Sequence, residues 1–168
     1  KPLPEALQAI KEADAIVLGP GSLYTSVLPN LLVKDLTAEI KNSQALKLYI
    51  CNVMTQAGET DDYSASDHIQ ALYDHVGEEI ADYILVNNEE VSRDLLAKYA
   101  QEGSSPVEVD LDKLKEQGVK VVQDSLINQS HLVRHNPDKL GEVIIKLVVE
   151  EKDIEDEMSI LEYYLKHR

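Results

Sequence analysis

Residues 15–30 read AIVLGPGSLYTSVLPN. Four apolar residues, Ala15 to Leu18, run into Gly19-Pro20-Gly21, and a segment bearing Ser22, Thr25 and Ser26 follows. An apolar strand, a glycine-containing turn and a helix start, in that order, is how an α/β protein presents backbone N–H groups to an anion. The three hydroxyls add donors where a first helical turn leaves its amides unpaired. The stretch is neither a G-x-x-x-x-G-K-[ST] loop nor a G-x-G-x-x-G fingerprint, because no lysine and no third glycine follow. A tight strand-to-helix turn with a serine cap is the plain alternative, and the ends of the later strands weigh against it.

Outward from this stretch, strands alternate with helices. Pro4–Ala13 has helical spacing with a proline near its start, and Pro29 predicts a break near Leu28 and a fresh start. Leu36–Asn42 is a short helix and Leu46–Cys51 a second strand, followed by a long polar loop to Ser64. Ser64 and Asp67 make a capping box for a helix whose apolar stripe includes Ile69 and Leu72 and which Gly77 ends. Tyr83–Val86 is a third strand, and Asn88 is the expected cap of a helix facing inward through Val91, Leu95, Leu96 and Tyr99. Val107–Val109 is a brief strand, Leu111–Gln117 a helix stopped by Gly118, and Val119–Val122 another strand. Residues 124–135 have no clear pattern and are expected to cross the surface, before Asn136-Pro137 starts a last core helix. The alternation predicts an α/β fold with a mainly parallel sheet over residues 1–149. Residues 150–168 form an acidic C-terminal helix, read as a solvated helix docked by one stripe, with a homo-oligomer contact as its alternative use.

Composition narrows the partners. A formal charge of −15 argues against nucleic acid or an anionic membrane, while leaving room for a phosphorylated small ligand held at a local positive site. Eight tyrosines with no tryptophan or phenylalanine imply an aliphatic core. A single cysteine, Cys51, cannot close an internal disulfide and suits a cytoplasmic protein. No apolar run approaches bilayer length, so membrane insertion is not expected. The chain begins at Lys1 without methionine, as expected of a processed terminus or a portion of something longer.

In open α/β sheets, ligands sit beyond the carboxyl ends of the strands. Those ends carry Gly19, Pro20, Gly21 and Ser22; then Asn52, with Thr55, Gln56, Glu59 and Thr60; then Asn87. Three successive ends rich in amides, hydroxyls and glycine predict a site for a polar, hydrogen-bonding ligand such as a nucleotide or sugar. Asp61, Asp62, Asp67 and His68 do not make a shared metal site. Asp67 and His68 are adjacent on a helix and diverge, and His68 and His75 lie roughly 10 Å apart along its axis. A Mg²⁺ ion held by one carboxylate and ligand phosphates is the alternative to a solvated acidic loop. Cys51 reads as a small buried hydrophobe, no G-x-S-x-G elbow occurs, and Arg134-His135 is either a source of positive charge for a phosphate or a surface contact at a helix start.

GPGSLYTSVLPNLLV together with YICNVMTQAGETDDYSASDH closely resembles the YvcK-like gluconeogenesis-factor branch of the CofD-like family, and VNN at Val86–Asn88 and RHNPDKL at Arg134–Leu140 are similar too. The resemblance covers most of residues 3–150. It implies a Rossmann-like three-layer fold and a cytoplasmic regulator of cell shape and of carbon and cell-wall metabolism that binds UDP-sugars such as UDP-N-acetylglucosamine. Gly19, Gly21, Ser22, Thr25 and Ser26 would then contact phosphate, and Asn52, Thr55, Gln56, Glu59 and Thr60 would line the sugar or base side. The family's transferase branch uses Mg²⁺, which implies the alternative of a Mg²⁺-dependent transferase moving a phosphoryl-linked group. The family's N-terminal GGGTGL-type loop does not occur here, so the resemblance is to the C-terminal portion of a member.

Overall fold

The computed structural model describes residues 1–152, as two units, residues 1–135 and a second that begins at Asn136. In the first, α1 (Pro4–Glu12) leads into β1 (Ala15–Leu18), and a single π-helical turn (Leu23–Val27) runs on into α2 (Leu28–Leu31). Then come α3 (Lys34–Asn42), β2 (Leu46–Ile50), α4 (Ala65–Val76), β3 (Tyr83–Asn87), α5 (Arg93–Gln101), α6 (Leu111–Glu116) and β4 (Lys120–Asp124). A hairpin, β5 (Ile127–Gln129) with β6 (Val133–His135), closes the unit. The second unit opens with α7 (Pro137–Glu151), whose Asn136 side chain accepts from the amides of Asp138 and Lys139. The rest of the expected acidic helix lies outside the described residues.

β1 to β4 form one sheet in the order β1-β2-β3-β4, every pair parallel, flanked by helices. All four carboxyl ends therefore open on one edge. The side chains on one face of the sheet, Ile16 and Leu18, Tyr49 and Cys51, Ile84 and Val86, pack with Leu28 and Leu31 of α2, Ile40 of α3, Ile69 and Leu72 of α4 and Leu114 of α6. Apart from tyrosine, this core is aliphatic. Among the described residues no helix is long and apolar enough to cross a membrane.

Local chemistry explains where the elements start and stop. Ser64 caps α4 reciprocally: its oxygen accepts from Asp67 N–H, and Asp67 Oδ2 accepts from Ser64 N–H at 2.8 Å. Gly77 ends α4 in the left-handed region, φ 83°, its N–H on the Tyr73 carbonyl at 2.7 Å. Two expectations are corrected. Asn88 caps nothing; α5 begins at Arg93 behind Ser92, whose N–H donates to Gln129 Oε1 at 2.8 Å. Residues 107–109 form no strand, because Pro106 offers no N–H. Their neighbourhood makes a bridge between Met54 and Pro106, a Val107 N–H bond to the Val53 carbonyl at 2.9 Å and an Ala65 N–H bond to the Glu108 carbonyl at 2.8 Å.

The turn after β1 is the tightest place in the fold. Gly19 has φ 96°, and a Cβ built on it would lie 3.2 Å from the Ile50 carbonyl oxygen of the neighbouring strand. At Gly21 a Cβ would lie 3.0 Å from Ser26 Cβ. Gly19→Ala is expected to cost about 1–3 kcal/mol, read as a lower urea midpoint at unchanged m-value. A variant as stable as the parent would contradict the close approach.

His68 on α4 is fully buried beside Tyr49 and Tyr63, its Nδ1 paired with the Ser64 carbonyl at 2.8 Å. Its Nε2 and the Tyr49 hydroxyl are buried without a hydrogen-bond partner. Burial holds the imidazole below its ordinary 6.5, against smaller opposing contributions from the Ser64 carbonyl and Asp67. The unfolded chain protonates here before the folded one does. Stability is therefore complete above 6.5 and falls as pH drops through 6.5 toward the folded value, by at most about 1.4 kcal/mol per pH unit for each such histidine. Melting temperature is expected to fall between pH 7.5 and 5.5, and His68→Phe to flatten that fall; a variant with the parent's slope would refute the assignment.

Candidate functional site at the carboxyl edge of the sheet

Beyond β1 and β2 lies a cleft of about 490 Å³. Three segments build it. The first is the glycine turn, contributing Pro20, Gly21 and Ser22; the second is Asn52 to Gln56 after β2; the third is Val133, Arg134 and His135 on β6, with Tyr99 and Ser104 completing the wall. Among the described residues no aspartate or glutamate lines this cleft. Its charged group is Arg134, exposed and without an ion pair among the described residues.

The turn presents its backbone to this space. Pro20 has no N–H, and the Gly19–Pro20 peptide is cis. Among the described residues, the N–H groups of Gly21, Ser22, Leu23 and Tyr24 have no intramolecular acceptor; the first paired amides are Thr25 to Ser22 Oγ at 3.2 Å and Ser26 to the Ser22 carbonyl at 3.0 Å. Four successive unpaired donors after a strand form an anion-binding arrangement. The turn is held from below by Tyr24, whose hydroxyl meets that of Tyr63 at 2.7 Å and whose ring lies edge-on to His75.

Ser22 is not the hydroxyl donor that the sequence suggests. Its Oγ donates to Glu59 Oε2 at 2.5 Å and accepts from Thr25 Oγ1 at 2.6 Å and from Thr25 N–H. Every hydrogen-bonding position on that oxygen is taken, which leaves the Gly21 and Ser22 amides as the unclaimed donors of the turn on the cleft wall. Thr25, Ser26 and Gly19 lie behind the turn, off the cleft wall. Glu59 also stands off the wall, joined to it through Ser22.

The loop after β2 divides the same way. Asn52 and Gln56 line the cleft and touch each other, Asn52 Nδ2 to Gln56 Oε1 at 3.3 Å. Thr55 lines it but is buried, its N–H and Oγ1 bonded to the Ser105 backbone at 2.7 and 2.9 Å. Thr60 is fully buried and its Oγ1 accepts from Gln56 N–H at 2.9 Å, so it shapes the loop from inside. Asn87 is not brought here. Its Oδ1 accepts from Leu126 N–H at 3.0 Å and its Nδ2 donates to the Glu89 carbonyl at 2.7 Å, which ties the hairpin to the end of β3.

That tie places Arg134 and His135. Gln129 on β5 bonds Glu89 and the Glu90 carbonyl, and Tyr99 Oη accepts from Val133 N–H at 3.2 Å. His135 Nε2 is buried and unpartnered; burial holds this ring below 6.5 as well, partly offset by the Cys51 carbonyl.

The acidic loop is not arranged for a metal. Asp67 is committed to the α4 cap and Asp61 Oδ2 accepts from Gly58 N–H at 2.8 Å. Among the described residues no three histidine, cysteine or carboxylate side chains cluster as a metal would require. A Mg²⁺ here would therefore rest on a single carboxylate and the phosphates of a ligand.

Comparison with known proteins places this geometry in a family. The profile described as 2-phospho-L-lactate transferase CofD matches residues 1–127. A gluconeogenesis factor of Halalkalibacterium halodurans is 56% identical over 147 residues, 87% of this chain and 46% of that protein. The gluconeogenesis factor of Bacillus subtilis is 45% identical over 150 residues, 89% of this chain and 47% of its own. A crystal structure of a UPF0052-family protein from Bacillus halodurans superposes with a TM-score of 0.84 at 56% identity, covering 86% of this chain and 47% of that one. The chain thus spans about half the length of these relatives. It belongs to the CofD family, among the YvcK-like gluconeogenesis-factor homologues.

Proposed function

We propose that this chain binds the diphosphate of a UDP-sugar, with UDP-N-acetylglucosamine as the representative ligand, and that through this binding the protein regulates carbon and cell-wall metabolism and cell shape. One observation carries the reading: among the described residues Gly21 and Ser22, the first two of four successive unpaired amides, line a cleft that also holds Arg134 and no carboxylate. In a chain of net charge −15, a local surface of positive potential is what an anionic ligand needs to approach. The name gluconeogenesis factor, borne by the relatives, supports the link to carbon metabolism.

One feature favours a second reading, the transfer of a phosphoryl-linked group. The Ser22 hydroxyl donates to Glu59 at 2.5 Å beside the cleft, as a carboxylate does when it prepares a hydroxyl for attack. Glu59 would be the base.

Calorimetric titration with UDP-N-acetylglucosamine, with and without Mg²⁺, separates the two. Binding without turnover in either condition supports the regulator; consumption of the nucleotide on adding an acceptor supports the transferase. Arg134→Gln is expected to weaken binding by about tenfold, the worth of one charge-assisted hydrogen bond, at an unchanged melting temperature. Glu59→Gln is expected to tighten it by removing negative charge behind the turn. An Arg134→Gln protein that binds as tightly as the parent would overturn the reading.

A further inference from the structure

A second cavity, of about 390 Å³, adjoins the first. It lies beyond β2 and β3, and the two share Asn52 and Val53 as a common wall. Each falls within the ~300–1,000 Å³ of pockets that bury small molecules. Their chemistry differs. The first cleft is polar, with a cation and no carboxylate; the second has aliphatic walls, Val86, Val91, Leu96 and Val107 among them, and carries Glu89 and Glu90 with Arg93.

The polar groups of the second cavity are of two kinds. Those of Asn87 and Glu89 are engaged with the hairpin and its approach. The Glu90 carboxylate and the Arg93 guanidinium have no side-chain partner among the described residues, and Asn52 Oδ1 has no donor. An apolar slot edged by one spare carboxylate, one spare guanidinium and one spare amide oxygen suits a ring with both donors and acceptors. A phosphate there would meet two carboxylates and no free run of amides.

Resting on the anion-site reading above, we infer that the second cavity seats the uncharged ring of the same ligand, a nucleobase or a sugar, while the charged linkage crosses Asn52 into the first cleft. Asn52 then touches both halves, and the ligand lies along the carboxyl edge from β1 to β3. Specificity for the ring belongs to Glu90, Arg93 and the aliphatic walls, and the anion end supplies affinity common to all nucleoside diphosphates.

Cys51 supplies the test. It is the chain's single cysteine, it lines the second cavity and not the first, and burial pushes its thiol up to about 12. Its rate of modification by methyl methanethiosulfonate at alkaline pH is measured for the protein alone and with saturating pyrophosphate, UDP or UDP-N-acetylglucosamine, saturation being checked by calorimetry. UDP or the sugar nucleotide is expected to slow the reaction by about tenfold, and pyrophosphate, which fills the first cleft alone, to leave it unchanged. Slowing by UDP as strong as by the sugar nucleotide assigns the base to the cavity; slowing by the sugar nucleotide alone assigns the sugar. A calorimetrically bound nucleotide that leaves the rate untouched overturns the inference and spares the anion site. So does pyrophosphate that protects as well as the nucleotides, because protection is then global stabilisation. No binding by any of the three removes the anion site and this inference with it. Val107→Phe, placed in the cavity wall, gives a second readout: weaker UDP-N-acetylglucosamine and unchanged pyrophosphate are expected, and equal effects on both would count against the assignment.

Discussion

At Gly19 the backbone has φ 96° and a Cβ would lie 3.2 Å from the Ile50 carbonyl oxygen, so a side chain there is strained and presses on the neighbouring strand. The site depends on this contact. β1 and β2 are hydrogen-bonded in register up to Leu18 and Tyr49, so the chain leaving β1 must turn at once over the end of β2. A residue with a Cβ would push the turn outward, and the amides of residues 21 to 24 would move with it. The positive φ at Gly19 and the missing N–H of Pro20 carry the chain from strand to helix with its next four donors unclaimed. Those donors are not stabilising in themselves. Unpaired amides beside a fully buried Leu23 carry a desolvation penalty, and they persist because Leu23, Leu28 and Leu31 bury the other side of the same segment. Aliphatic burial and the Tyr24 contacts hold a polar surface that would not organise itself.

Elements governed by one-turn rules were legible in the sequence. The Ser64–Asp67 box, Gly77 as a left-handed stop and Asn136 before Pro137 each involve residues three or four apart, so pattern and structure agree on α4 and α7. The four parallel strands followed from short apolar runs between helices. What escaped depends on distant partners. The start of α5 is displaced from Asn88 to Ser92 because Glu89, Glu90 and Ser92 are claimed by Gln129, some forty positions away. Residues 127–135 carry little pattern because their hairpin is only three residues deep on each side and is fastened by side chains elsewhere.

The site was half legible for the same reason. Which strand ends bear polar residues can be read along the chain, and Pro20, Gly21, Ser22, Asn52, Thr55 and Gln56 do meet in one cleft. Which of their atoms remain available cannot be read that way. Thr60 and Thr55 look like ligand hydroxyls until their partners, Gln56 N–H and the Ser105 backbone, are on view. Arg134 was visible as a charge near a helix start, and only the hairpin explains how it comes to face a glycine turn more than a hundred residues earlier.

Glu59 decides how such a site can work within so acidic a chain. Its carboxylate accepts from the Ser22 hydroxyl, Ser22 Oγ in turn accepts from the Thr25 hydroxyl and amide, and the three form one hydrogen-bonded chain behind the turn. A serine free to rotate could bind a phosphate, a water or a sugar hydroxyl with similar ease. A serine fixed by Glu59 is not free to bind any of them, and in the proposed mode recognition passes to backbone dipoles whose direction the fold sets. The carboxylate's repulsion of an anion is the opposing effect, and it acts at second hand because the serine stands between it and the cleft. Arg134 stands on the cleft wall itself, so the nearer charge is the attractive one. In the binding mode proposed here, the balance of those two side chains, one displaced and one direct, is what would make this edge of a −15 chain hospitable to an anion.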